Sequence, residues 1–139
     1  MFTVQRHAGR LMEVRAGSPM TLDQITGSDQ QMAVSVREAG GRGIICADYT
    51  QLQVLAPDHT DAMIDMFRRY NDRIDYSAIL VAAHSATSIL QIERVTREAR
   101  NPRRQCFRRA MEMRAWLQVY LTEVERTALD GFLATIDET

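Results

Sequence analysis

The chain predicts an α/β protein built on a mostly parallel sheet, and three observations carry that expectation. Gly43-Ile44-Ile45-Cys46-Ala47-Asp48-Tyr49 is an apolar, β-rich run that passes through a short loop into a helix opening at Ala56-Pro57-Asp58-His59. Tyr76-Ser77-Ala78-Ile79-Leu80-Val81-Ala82 repeats the pattern and is followed by His84-Ser85 and another amphipathic helix. Apolar strands that each feed such a helix are the mark of repeated βα units around a mostly parallel sheet. An alternating N-terminal segment and a helical C-terminus complete a four- to five-stranded mixed sheet with a β-hairpin at its start. Ligands and partners of such sheets collect at the carboxyl ends of the strands.

The elements follow in order. Phe2–Arg6 and Leu11–Arg15 alternate apolar and polar residues around an Ala8-Gly9 turn, which predicts a hairpin. Gly17-Ser18-Pro19 closes the second strand, and a helix follows within Leu22–Ala39. Gly27-Ser28 is a candidate restart of that helix with Ser28 as N-cap. Met32, Ala33, Val36 and Ala39 are its expected buried stripe, and Gly40-Gly41 its stop. Pro57 suits the first turn of the next helix, because its missing N–H would have no partner there. Met63, Met66, Phe67, Tyr70 and Ile74 recur at three- and four-residue steps as its core face.

Ser85 is the expected cap of a helix with the stripe Ile89, Ile92, Val95, Thr96 and Ala99, stopped by Asn101-Pro102. Gln105–Arg108 reads as a short fifth strand. Met113, Trp116, Leu117, Tyr120 and Leu121 line a further helix. Thr122, with Glu125 three residues on, forms a capping-box pattern that opens the last one, with Val124, Ala128, Leu129, Phe132, Leu133 and Ile136 as its stripe. No repeat or linker divides residues 1–139, so one domain is expected, of a size that buries about 70% of its unfolded surface.

Composition bounds the function. Apolar residues are 45%, charged residues 25% and the formal charge is −1, which gives no general reason to bind nucleic acid or an anionic membrane. No apolar run reaches the roughly 20 residues that cross a bilayer, and Met1–His7 lacks the pattern of a signal peptide, so a cytoplasmic location is expected. Cys46 and Cys106 sit in apolar contexts and read as free thiols. Cys106, near Arg104 and Arg108, is the better redox candidate. All 17 basic residues are Arg, a surface of planar donors suited to carboxylates and phosphates.

Several residue groups are candidates for chemistry. Asp48 and His84-Ser85 would lie at neighbouring strand ends, which suggests a Ser-His-Asp hydrolase. Against that, adjacent side chains diverge, and no Gly-x-Ser-x-Gly elbow is present; a helix cap explains Ser85 without catalysis. Asp58, His59, Asp61 and Asp65 could be read as metal ligands, but acidic residues in a first helical turn complement the helix dipole, and no metal or cofactor is expected. Ser85, Thr87 and Ser88 at a helix start form a candidate anion site. The run from Arg94 to Arg114 is the most distinctive surface, with Arg97, Arg100, Arg103, Arg104 and Arg108 as its centre and Glu93–Arg97 as a helical ion pair. It suits a solvated face first, then a docking surface for an acidic protein, then nucleic acid.

The order hairpin, helix, strand, helix, strand, helix, short strand and terminal helices resembles the STAS family, the domain of anti-sigma-factor antagonists and sulfate transporters, and within it a bacterial STAS/SEC14-like branch. The likeness is carried by Ile44–Ala56, Ser85–Arg104, Ala115-Trp116-Leu117 and Thr122-Glu123-Val124-Glu125-Arg126. In its signalling members a phosphorylatable serine stands where the loop after the third strand enters its helix. Here the matching stretch is Leu55–Thr60, with Pro57 or Asp58 at that place and Thr60 as a displaced acceptor. The resemblance therefore implies a non-enzymatic regulatory or protein-interaction module without the serine switch. Asp48, Asp58, His59 and Ser85 would form its interaction edge, and a homodimer through the hairpin or the Trp116 and Phe132 helices is compatible with it. The alternative is a carrier or sensor for a small apolar, lipid-like or anionic ligand, with the eight Met residues as an adaptable lining.

Overall fold

A computed structural model describes residues 1–138. The hairpin strands β1 (Phe2–Ala8) and β2 (Leu11–Gly17) precede helix α1 (Leu22–Glu38), β3 (Gly43–Gln51), α2 (Pro57–Tyr70) and β4 (Ile74–Val81). Helix α3 (Ala86–Glu98), β5 (Arg104–Phe107), α4 (Ala110–Leu117) and α5 (Glu123–Ala134) follow. The five strands form one sheet in the order β1-β2-β3-β4-β5, so spatial order repeats chain order. Only β1 and β2 are antiparallel; β2–β3, β3–β4 and β4–β5 are parallel. Segments 43–49 and 76–82 thus lie side by side and point the same way, Cys46 opposite Ala78.

Each parallel step needs a crossover, and steps taken in one direction with one hand place every crossover helix on the same face. Helices α1, α2 and α3 accordingly share a core with Ile45, Ala47, Tyr49, Ile79 and Val81. The opposite face, with Ile44, Cys46, Ala78 and Leu80, packs on Met113, Leu117, Leu129 and Phe132 of α4 and α5. Strand parity divides β3 between two cores, which is why both faces of that strand are apolar.

Local signals are realised with some changes. Helix α1 is continuous. Thr21, not Ser28, is its N-cap, in a reciprocal capping box with Gln24. Ser28 is buried inside the helix, where its hydroxyl donates to the Ile25 carbonyl at 2.5 Å and to Met66 Sδ at 2.6 Å. Ile25 belongs to the buried stripe and Ala33 is exposed. Gly40 ends the helix at φ +92°, a conformation that suits glycine at this position.

Further along, Pro57 opens α2, and Ser85 caps α3 by accepting the Ser88 N–H. The apolar run 113–121 is not one helix: α4 stops at Leu117 and residues 118–120 form a 3-10 turn. Thr122 and Glu125 make the expected capping box. Val124 faces solvent at 68% exposure, outside the stripe. Phe132 is buried within the chain's own core, and Trp116 packs edge-on against Tyr76 and Tyr120, so these rings serve intrachain contacts. No helix among the described residues is long and apolar enough to cross a membrane.

Candidate functional site

The carboxyl ends of β3 and β4 form the rim where the parallel sheet would present a ligand or partner. Strand β3 continues to Gln51, so Asp48 lies inside it rather than at its end. By parity Asp48 shares the α4/α5 face with Cys46. Its Oδ2 is 3.3 Å from Arg15 Nη1, and its Oδ1 accepts the Thr50 N–H at 2.9 Å and the Thr50 hydroxyl at 2.6 Å. Arg15 also donates to Thr135 Oγ1 at 2.6 Å and lies 4.4 Å over the Phe132 ring. Asp48 therefore anchors α5 to the sheet.

Asp58 and His59 belong to α2, on the opposite face. They pair with each other, His59 Nδ1 to Asp58 Oδ1 at 2.8 Å, and this hydrogen bond holds the Asp58 carboxyl below its ordinary range. The sheet separates Asp48 from Asp58, so the four expected edge residues do not form one surface. Asp58, His59 and Ser85 stay on the α2/α3 side; Asp48 leaves the set. The expected acid–imidazole–hydroxyl meeting does not occur either, because the carboxylate of Asp48 is bonded to Arg15 and Thr50 and the Ser85 hydroxyl to the Ser88 N–H at 3.3 Å.

The helix start considered for an anion is used internally. Ser88 is 4% exposed, and its hydroxyl donates to the Leu52 carbonyl at 3.3 Å, leaving Thr87 alone in solvent. Thr60 is buried and donates to the Pro57 carbonyl at 2.8 Å, which closes it as an acceptor position.

The loop between β3 and α2 is held at both sides. Gln91 of α3 accepts the Leu55 N–H at 2.8 Å and donates to the Leu55 carbonyl at 2.8 Å. The Ser18 hydroxyl accepts the Gln53 N–H at 2.9 Å. Between these ties Val54 projects at 58% exposure, and Leu90, next to Gln91, at 66%. An open groove of about 440 Å³ runs along Thr50–Val54 to His84, Ser85 and Ser88. A smaller recess of about 80 Å³ lies between the β3 and β4 ends and is lined by His84, Arg108, Asp137 and Glu138. The sequence reading missed Gln91, a polar residue one step off the apolar stripe of α3. That offset position was the available signal.

The arginine run resolves into separate roles. Arg94 pairs with Glu98 at 3.1 Å and Arg108 with Glu93 at 3.9 Å, so Glu93 does not serve Arg97. Among the described residues Arg97, Arg100 and Arg103 are exposed and have no carboxylate within ion-pair distance. Arg104 is not a surface residue: it is 5% exposed, its guanidinium lies 4.4 Å over Phe67, and Nη1 donates to Asn71 Oδ1 at 3.0 Å. Strand parity with Cys106 was the signal for that burial. The Cys106 thiol is 3.2 Å from Thr96 Oγ1, and burial pushes its pKa up, which argues against a redox role.

Among the described residues no three His, Cys, Asp or Glu side chains converge in a way that could hold a metal ion. The fold and rim define an α/β protein with a mixed five-stranded sheet and a constrained loop at its carboxyl edge. Comparison of the chain with models of known protein families, with curated proteins and with solved structures finds no match.

Proposed function

We propose that the chain is a non-enzymatic binding module of STAS-like type that engages another protein through the β3–α2 loop and the first turn of α2. The observation that carries this reading is the double hydrogen bond between Gln91 and Leu55, which holds the loop in one conformation while Val54 stands out from it. A surface already ordered before binding loses less conformational freedom on docking, and exposed apolar side chains on it supply contact area. Asp58 adds a negative charge at the edge of this surface, stabilised by His59. The hairpin, the three same-side crossovers and the terminal helices support the STAS likeness. The loop entering α2 is where that family carries its serine. Here Ala56 is the N-cap and Pro57 the first helical residue, so the module works without phosphorylation at that place.

The alternative of an apolar carrier draws little from the core, where the enclosed cavity of about 20 Å³ has room for about one water. Self-association remains one form that the partner can take. The test is capture of partners from a native extract by the wild type and by Val54→Asp and Asp58→Arg, each first shown to melt as the wild type does. Loss of the same captured protein with both variants is expected. Unchanged capture by both would remove the loop as the contact surface.

A further inference from the structure

Two observations converge on the groove between α3 and β5. The first is a buried cation without a counter-charge. Arg104 is 5% exposed; its guanidinium stacks on Phe67 and makes one side-chain hydrogen bond, to the neutral Asn71, with no carboxylate within ion-pair distance among the described residues. Burial lowers its pKa to about 10, so it is charged at neutral pH. A buried charge without a counter-charge is strongly destabilising unless something pairs with it.

The second is an orphaned donor. Asn101 is 8% exposed, and its Oδ1 accepts the Arg103 N–H at 3.0 Å, which sets the orientation of the amide. Its Nδ2 is then left buried with no partner. Such groups cost free energy and are rare in folded chains. Arg104 and Asn101 lie along one open groove of about 540 Å³, together with Arg97 and Arg100, and Arg104 spans from this groove to the small core cavity that it lines with Phe67. Among the described residues the one carboxylate in the lining, Glu93, pairs with Arg108. Arg100 follows the C-cap of α3 at φ +59°, a left-handed conformation where glycine is the usual occupant. An arginine there keeps a guanidinium at the groove mouth at the expense of local strain.

We propose that this groove binds the phosphoryl group of a small soluble compound, with Arg104 and the Asn101 amide as its floor and Arg97 and Arg100 at its rim. Three cations without acidic partners suit a dianionic group better than a single carboxylate. Guanidinium forks match the spacing of phosphate oxygens. The site is independent of the loop surface and lies at the opposite end of α3 from the Ser85 cap.

The test is an NMR titration of the whole chain with inorganic phosphate and with pyrophosphate, against sodium chloride at equal ionic strength. The expected result is a saturable shift of the Asn101 side-chain amide and the Arg104 Nε–H, with pyrophosphate the tighter ligand and chloride without effect. Arg100→Gly separates structure from binding: glycine relieves the positive φ, so the melting temperature should rise while phosphate affinity falls about tenfold, as for the loss of one charged hydrogen-bonding contact. Equal shifts with chloride, no shift at Asn101 and Arg104, or unaltered phosphate affinity in Arg100→Gly would each overturn the site.

Discussion

Glu125 joins the last helix to the first turn of the chain by accepting the Arg10 N–H at 2.7 Å, across 115 residues of sequence. The other oxygen of the same carboxylate accepts the Thr122 N–H at 2.9 Å, so one side chain serves both the capping box and a tertiary tie. Burial acts to raise its pKa, but the hydrogen bonds from Thr122 and Arg10 outweigh it and hold the carboxyl below the ordinary range. A group with a lowered folded pKa stabilises the fold fully above the unfolded value of about 4.3 and loses that contribution as the pH falls through the folded value. Glu125→Ala should therefore cost about 2–3 kcal/mol at neutral pH by leaving two N–H groups unpaired. Glu125→Gln should flatten the fall in stability between about pH 5 and pH 3, read by urea unfolding.

Gly9 turns beneath that carboxylate at φ +53°, and a Cβ there would meet the Glu125 side chain. Gly9→Ala combines strain and clash, and a loss of about 1–3 kcal/mol is expected. Removing the clash with Glu125→Ala in the same chain should make the two effects less than additive in a double-mutant cycle.

Asp48 tests whether a residue that looked functional is structural. Asp48→Asn weakens the bond to Arg15 and changes the acceptors for Thr50, and about 1–2 kcal/mol of stability should go with it. Partner capture by the folded fraction should not change. A selective loss of capture without destabilisation would return Asp48 to the interaction surface.

Gln91 is the residue expected to couple packing to recognition. Gln91→Ala frees the Leu55 N–H and carbonyl, so the Leu55 amide should exchange with solvent at least tenfold faster, measured by native-state hydrogen exchange. Affinity for a captured partner should fall with it, because the loop must then be ordered on binding.

The thiols give a simpler expectation. Cys46 is 0% exposed and burial raises its pKa well above the ordinary value; Cys106 is half-buried and raised by the same cause. Thiolate is the reactive form, so raised pKa values depress labelling near neutral pH. Cys46 should react with a disulfide reagent only at the rate of global unfolding. Cys106 should react more slowly than free cysteine.

Much of the fold was legible because its signals are local. The apolar runs at 44–49 and 76–82, Pro57, Ser85, Asn101-Pro102 and the Thr122–Glu125 box each act within a few residues of themselves, and each lies where the sequence places it. The errors were local as well. Ser28 looked like a cap, but the Thr21–Gln24 box starts the helix about two turns earlier, and the Ser28 hydroxyl meets Met66 instead. Val124 matched the helical period yet falls on the solvent side of α5, since the stripe is centred on Leu129 and Phe132.

The chain's own residues thus determine which segments are strands and helices, because periodicity, caps and breakers are short-range properties. Which charged groups are buried, and which candidates share a surface, was settled only in three dimensions. Asp48 and Asp58 part company because strand parity and the placement of α2 set them on opposite faces of the sheet. Arg104 leaves the basic surface because its partner, Asn71, is 33 residues away and its stacking ring belongs to another helix. Burial of a polar group depends on what lies across from it, and that is a property of packing between distant segments.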